Sequence, residues 1–357
     1  MIGSTLKNMT REGKTMDIPS ILNKLAQKAD LSAAETSELM STMMSGQLDT
    51  MQTAAILMGL RCKGETAEEI AGAARAMREK AVQIRSRHER IVDTCGTGGD
   101  HSGTFNISTV SAFVVAACGV TVAKHCNRSA SSRCGSADLF EGLGLNLEAT
   151  PEQVTQCLEE TGFTVLFARS MHPAMRHVAP VRTALGIRTI FNFLGPLTNP
   201  AGATHQLVGI SDKKYLSLYA QVFAELGTKR CLVVHGLDGL DELTLSADSQ
   251  AVLWDGSELK DLTVSPEDGG FSRCSRTELL GGDREVNAAI AKSILQNHDT
   301  GPKRDAVLLN AGAVLWTAEV ASDLRSGVRQ AEESLLSGKA WEKVEEVRAI
   351  LGKSGSS

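Results

Sequence analysis

Nowhere does the 357-residue sequence hold an uninterrupted apolar run of 18 residues, the least a membrane-spanning helix needs. It also lacks a basic excess. With 37 Lys and Arg against 42 Asp and Glu, the net charge is -5, which removes the electrostatic footprint of a dedicated nucleic-acid or membrane-surface binder. Aromatic residues are sparse, at 4%, so the stacking platforms of a single-strand binder are missing as well. The eight cysteines (62, 95, 118, 126, 134, 157, 231 and 274) form no C-x-x-C pair, and a chain of this size does not lean on a disulfide scaffold, so they read as reduced thiols. The opening "MIGSTLKNMTREGKTMD" has no apolar h-region. No G-x-S-x-G elbow offers a serine nucleophile. Together these absences predict a cytoplasmic protein that acts on small molecules, with neither nucleic acid nor membrane as a partner.

What is present divides along the chain. Residues 1–15 and 351–357 are polar or unpatterned and are expected to fray. Residues 16–88 read as about four short helices, two of them announced by capping boxes at Ser32–Glu35 and Thr66–Glu69. From 89 to 350 the texture changes. Short β-rich runs ("RIV", "VTVAKH", "FTVLFA", "HQLVGI", "CLVVHG", "AVLW") alternate with helix-like segments such as 107–118, 151–160 and 214–226. That alternation predicts an α/β fold: a small N-terminal helical domain and a large α/β domain whose mostly parallel central sheet is flanked by helices.

The stretch "DTCGTGGDHSGTFNISTVSAF", residues 93–113, places Gly96, Gly98, Gly99 and Gly103 within eight positions. An apolar helical stripe follows at once, in Ile107, Val110, Phe113, Val114 and Ala117. Strand, glycine loop and helix start aim bare amides and a positive dipole end at one place, with Asn106 as the expected N-cap, and an anion fits there. The loop is neither a Walker A, since Thr104-Phe105 replaces Lys-Ser/Thr, nor a dinucleotide loop, since His101 stands where the last glycine belongs. Asp100 beside phosphate calls for a cation or a hydroxyl donor, so a ligand with phosphate, hydroxyls and magnesium reconciles the two.

A second loop, "KHCNRSASSRCGSAD" at 124–138, brings Lys124, Arg128 and Arg133 with Ser129, Ser131, Ser132 and Ser136. Both loops follow strands, where ligands bind in open α/β sheets. In "VVHGLDGLDELTL", Asp238, Asp241 and Glu242 also follow a strand pattern; adjacent acids suit magnesium, although such pairs are often solvated turns. "ARSMHPAMRHVAPVRTALGIR" carries Arg169, Arg176, Arg182 and Arg188, one of which could fork onto a substrate carboxylate. In the same segment His172 and His177 lack a third partner at metal-ligand spacing, and Pro173 and Pro180 read as first-turn helix prolines.

"DTCGTGGD", "NIST", "KHCNRSASSRCGSAD", "MHPAMRHVAPVRTALGIRTIFNFLGPLTNP" and "DELT", in that order, resemble the anthranilate phosphoribosyltransferases of tryptophan biosynthesis over roughly residues 17–345. The resemblance implies a homodimer through the helical domain, phosphoribosyl pyrophosphate as donor, anthranilate as acceptor and Mg2+, as two ions. By motif, it implies donor contacts at Gly96, Gly99, Asp100, Thr104, Asn106, Ile107, Ser108 and Thr109. Further donor contacts fall on Lys124, His125, Cys126, Asn127, Arg128, Ser129, Ala130, Ser131, Ser132 and Ser136. Anthranilate falls near Gly96, Asn127 and Arg182, and magnesium on Ser108, Asp241 and Glu242; no residue is implied as a covalent catalyst. The family's second loop usually reads Lys-His-Gly-Asn-Arg, so Cys126 in the glycine's place puts in doubt any positive φ there and any very close approach of ligand. Two rivals remain in view: a pyrimidine nucleoside phosphorylase, whose lysine loop continues Ser-Ser-Gly-Gly unlike "KHCNRSASS", and a non-catalytic nucleic-acid-binding relative of the fold.

Overall fold

The structure, a computed structural model, describes residues 16–128 and 133–352. Four helices come first: α1 (Ile18–Ala26), α2 (Ala33–Met44), α3 (Thr50–Lys63) and α4 (Ala67–Glu79). Both expected capping boxes close, with the Ser32 and Thr66 hydroxyls accepting from the Glu35 and Glu69 amides while those carboxylates accept in return. Glu69, fully buried, also accepts from the Leu31 amide at 2.9 Å and pairs with Lys63 at 2.9 Å, tying α4 to α3 and to the start of α2.

The α/β part continues with β1 (Val92–Gly96), α5 (Ile107–Ala117), β2 (Val122–Cys126), α6 (Ser136–Gly142), α7 (Pro151–Thr161) and β3 (Phe163–Phe167). Three short helices, α8 (Ala168–Met171), α9 (Ala179–Leu185) and α10 (Phe191–Leu194), lead to β4 (His205–Gly209), α11 (Leu216–Glu225) and β5 (Arg230–Gly236). Next are β6 (Ser249–Trp254), β7 (Leu259–Val264) and α12 (Pro266–Gly269), and then α13 (Arg284–Leu295), α14 (Pro302–Thr317), α15 (Leu324–Leu336) and α16 (Lys339–Leu351). Pro173 opens a 3-10 turn and Pro180 the first turn of α9, as expected of first-turn prolines.

The seven strands run in the order β3-β2-β1-β4-β5-β6-β7, parallel from β3 to β5 and antiparallel at the β6–β7 edge. The six expected β-rich runs are the first six strands. β7 has no counterpart among them, because "LKDLTV" is mostly exposed and carries no buried alternation. β1 and β2 are in register only at Val92 and Val122 and then part. Asp93 spans the gap: its buried carboxylate accepts from the His125 amide at 3.2 Å and from the Asn199 side-chain amide at 2.9 Å. Asn199 also donates to the Ala123 carbonyl at 2.8 Å, so two distant side chains replace ladder bonds where the strands diverge.

On one face of the sheet, α5, α7, α14, α15 and α16 enclose a core with Phe113 stacked on Phe163, ring centroids 4.4 Å apart. The other face shares a second core with the N-terminal helices. There Leu39, Met40, Ile56 and Ala73 join Phe191, Val208, Tyr219, Phe223 and Val233 in one cluster.

Candidate functional site

Three loops meet at the carboxyl ends of β1, β4 and β5. Gly96 and Gly209 pair across β1 and β4, and Asp241 lies over both; a Cβ on Gly96 would strike the Asp241 carboxylate, and one on Gly209 the Asp241 backbone carbonyl. Asp241 Oδ2 accepts from the Gly98 amide at 2.9 Å. The Thr97 amide donates to the Gly209 carbonyl at 2.9 Å, and the Thr97 hydroxyl accepts from the Ser211 amide at 3.3 Å. Gly98 and Gly99 adopt φ of 66° and 76°, which L side chains rarely take, and this turns the loop back toward α5.

At the start of α5 the Ser108 amide donates to Glu242 at 3.2 Å. Asn106 does not serve as the expected side-chain cap. Its amide donates to the Cys134 carbonyl at 3.1 Å and its oxygen accepts from Asn287 at 2.9 Å, so it binds the two site loops together while a remote carboxylate caps the helix. The side chains of Ile107 and Thr109 are buried in the core side of α5, and their amides are used by Phe105 and Asn106 carbonyls. Thr104 faces Ser102, hydroxyl to hydroxyl at 3.1 Å.

Asp100 accepts from the Ser102 amide through one oxygen, and its other oxygen is buried without a hydrogen-bond donor among the described residues. Burial, with Asp100 and Glu242 nearby, pushes the Asp241 carboxyl well above the usual range. Burial raises Glu242 to about 7, against the pull of Lys124 and Ser108. Carboxylates buried together and short of positive charge fit a divalent cation. Among the described residues no three His, Cys, Asp or Glu side chains converge as a metal cluster, so an ion here takes one or two carboxylates and completes its shell with substrate oxygens and water, which is magnesium's habit. Asp238 stands apart, accepting from Thr244 and Ser246 hydroxyls and from the Leu240 amide as the staple of its own turn.

The second loop is partly in place. Lys124 is buried and its ammonium donates to the Thr94 carbonyl and hydroxyl, pinning β2 to β1. Cys126 lies in β2, buried and without the positive φ that glycine would permit, and burial drives its thiol pKa up. Asn127 is exposed, and its carbonyl accepts from the Ser136 hydroxyl at 3.2 Å. Arg128 is committed elsewhere, to Asp138 at 2.7 Å and to Glu141 at 2.9 Å. Ser129, Ala130, Ser131 and Ser132 lie outside the described residues.

His125 Nδ1 donates to the Gly195 carbonyl at 3.1 Å, and its Nε2 meets His172 Nε2 at 3.2 Å. Burial lowers both, His172 to about 3, so this is a neutral pair. His177 is exposed beside Arg176. The Arg182 guanidinium stands over the Phe191 ring at 5.2 Å, and burial lowers its pKa. Sequence reasoning assigned no role to Gly209, Asp93, Asn199 or Asn287: Asp93 and Asn199 fall within the quoted motifs, but all four act through partners far along the chain. It also left Arg188 unassigned, although that side chain reaches the Gly98 carbonyl.

Known proteins are similar to this chain in sequence and fold. Residues 88–341 match the glycosyl transferase family a/b domain and residues 19–81 its helical bundle domain. Anthranilate phosphoribosyltransferase from Desulfatibacillum aliphaticivorans is 48% identical over 94% of this chain and 99% of its own length; that from Symbiobacterium thermophilum is 49% identical over 92% and 96%. The crystal structure of the Thermus thermophilus enzyme superposes with a TM-score of 0.88 at 46% identity, covering 93% of this chain and 99% of that one. The Saccharomyces cerevisiae enzyme in complex with PRPP and Mg superposes at 0.85 with 26% identity, covering 94% and 97%. Neither the nucleoside phosphorylase reading nor the nucleic-acid-binding one gains support from these relatives. The chain belongs to the anthranilate phosphoribosyltransferases of the glycosyl transferase family.

Proposed function

We propose that the three converging loops carry out the family's reaction on this chain, moving a 5-phosphoribosyl group from phosphoribosyl pyrophosphate to the amine of anthranilate with release of diphosphate. The observation that carries this reading is the folding of Gly96–Asp100 directly under Asp241 and Glu242 at the N-terminus of α5. Loop amides and the helix dipole there favour a diphosphate. As diphosphate departs, C1 of the ribose becomes oxocarbenium-like, and the protein's work is to position the acceptor and offset the leaving charge. A weakly basic aromatic amine needs no strong base before attack, and no covalent nucleophile is required. Asp241, Glu242 and the Ser108 hydroxyl would hold magnesium, which would supply positive charge to the diphosphate oxygens, and two ions would suit a leaving group that carries several negative charges.

Asn127 and Arg182 hold the anthranilate carboxylate. Burial that disfavours a bare Arg182 guanidinium is relieved by an anionic partner, which supports this assignment. Lys124 to Arg128 and Ser136 continue the donor site, as the resemblance implies. We assign residues 16–88 and 89–350 to the helical and catalytic units and place the reaction in the cytoplasm. Met51 and Met58, seven residues apart on one face of α3 and 77% and 36% exposed, support a homodimer through the helical unit. Light scattering at twice the chain mass is the expected result there.

Anthranilate fluorescence tests the reaction. It should decay when phosphoribosyl pyrophosphate and Mg2+ are added together and hold steady when either is left out; steady fluorescence with all components present would refute the reading.

A further inference from the structure

The glycine loop leaves the site through residues 103–106, and chain from much later in the sequence braces that exit. The Gly281 amide donates to the Gly103 carbonyl at 3.0 Å and the Phe105 amide to the Leu279 carbonyl at 3.2 Å, so the two segments pair antiparallel. Gly281 permits the approach: a Cβ there would lie 2.7 Å from Phe105 Cα and 2.5 Å from Asn287 Oδ1. Asn287, at the start of α13 and 2% exposed, joins this brace to the site. Its Oδ1 accepts from the Gly282 amide at 2.7 Å, and its Nδ2 donates to Asn106 Oδ1 at 2.9 Å. Asn106 Nδ2 in turn donates to the Cys134 carbonyl at 3.1 Å.

These three bonds run in one direction. The backbone N–H of Gly282 can only donate and the backbone carbonyl of Cys134 can only accept, so both side-chain amides are held in the one orientation that satisfies the series. Asn106 thereby stands between the first residue of α5 and the segment that opens α6, on which the proposed donor contacts at Ser108 and Ser136 depend. We propose that Asn287 is a positioning residue for the donor: through Asn106 it sets the spacing of those two segments, and so the geometry in which both meet phosphoribosyl pyrophosphate. The inference rests on the reaction proposed above and adds to it a residue that belongs to neither site loop. Aspartate in this place has the shape of asparagine and can still accept from Gly282, but its carboxylate cannot donate to Asn106. Either two oxygens then face each other, or the Asn106 amide turns over and sets its oxygen against the Cys134 carbonyl. An acidic side chain near a helix start is favoured, so α13 itself is not weakened by the change.

Initial rates by anthranilate fluorescence, at saturating Mg2+ and with each substrate varied in turn, test this in the parent, Asn287→Asp, Asn287→Ala, Asn106→Ala and the two double variants. The KM for phosphoribosyl pyrophosphate should rise about tenfold in Asn287→Asp and about fivefold in Asn287→Ala, while kcat and the KM for anthranilate move by less than about twofold. Added to Asn106→Ala, either substitution should change the donor KM by less than about twofold, because the bond it breaks is already gone. An unmoved donor KM in both single variants, equal rises in both KM values, or full additivity with Asn106→Ala, as general loosening or an added charge would give, would each overturn the proposal. Urea unfolding verifies each variant, and either substitution at 287 carries the test if the other loses its cooperative transition. A parent without turnover refutes the reaction and this role with it, whereas an active parent with any of those three outcomes refutes the role alone.

Discussion

Gly96 and Gly209 sit side by side under Asp241, yet added methyl groups would meet different atoms. At Gly209 the obstacle is backbone carbonyl, which is fixed by its neighbours; at Gly96 it is the end of a side chain that can swing away. Gly209→Ala is therefore expected to lose roughly 1–3 kcal/mol of stability in urea unfolding. Gly96→Ala should stay within about 1 kcal/mol of the parent while its turnover collapses, because the displaced carboxylate is the one proposed to hold magnesium. Equal destabilisation by both would contradict this. The four clustered glycines of 96–103 announce a ligand loop in the sequence, whereas Gly209 reads as an ordinary strand residue, since its reason lies 32 positions away at Asp241. Glu242 makes a second prediction. With its carboxyl raised to about 7, protons compete with metal, so the Mg2+ concentration for half-maximal rate should climb as pH falls from 8 to 6. The same shift opposes folding: the penalty is absent below the unfolded value of 4.5 and complete above about 7. Glu242→Gln should thus gain stability at pH 8, on the order of 1 kcal/mol without magnesium, and weaken the pH dependence of the magnesium requirement, leaving the part that Asp241 contributes.

Secondary structure was legible wherever a local pattern sufficed. Capping boxes fixed two helix starts, and apolar runs located six strands, but β7 escaped because Lys260 and Asp261 give an exposed edge strand its charge and hide its pairing. The start of α5 was read correctly in place and wrongly in chemistry. Asn106 is an ideal cap by type, yet the tertiary structure spends its side chain on Cys134 and Asn287 and sends Glu242 to the helix instead. Asn106→Ala is expected to cost about 1–2 kcal/mol, as two partners lose their hydrogen bonds, and to raise the KM for donor more than it lowers kcat because the two site loops come untied. A loss of helix signal confined to α5, with KM unchanged, would restore the simple cap reading. At β2, the backbone half of the doubt raised by Cys126 falls away: the position is strand, so no left-handed backbone is asked of it.

Across the whole molecule, the helical unit has no core of its own. Helices α2, α3 and α4 share one apolar cluster with α10, α11, β4 and β5, so the two units matched by separate family domains are energetically one on that side of the sheet. Unfolding should follow a single cooperative transition by both fluorescence and circular dichroism, and two separated transitions would contradict the shared core. Composition alone separates the units near residue 89, but it cannot show that residues 178–197 return to complete the helical side; that contact is made by chain a hundred positions later. The charge deficit and the scarcity of aromatics argued against nucleic acid in the sequence, while the acceptor's surroundings depended on loops whose packing no motif encodes. The most direct measurement is a crystal structure of the protein with phosphoribosyl pyrophosphate and Mg2+. The account predicts diphosphate against Gly96–Asp100 with metal at Asp241 and Glu242; a sugar lodged elsewhere, with those two carboxylates bound to protein amides alone, would contradict it.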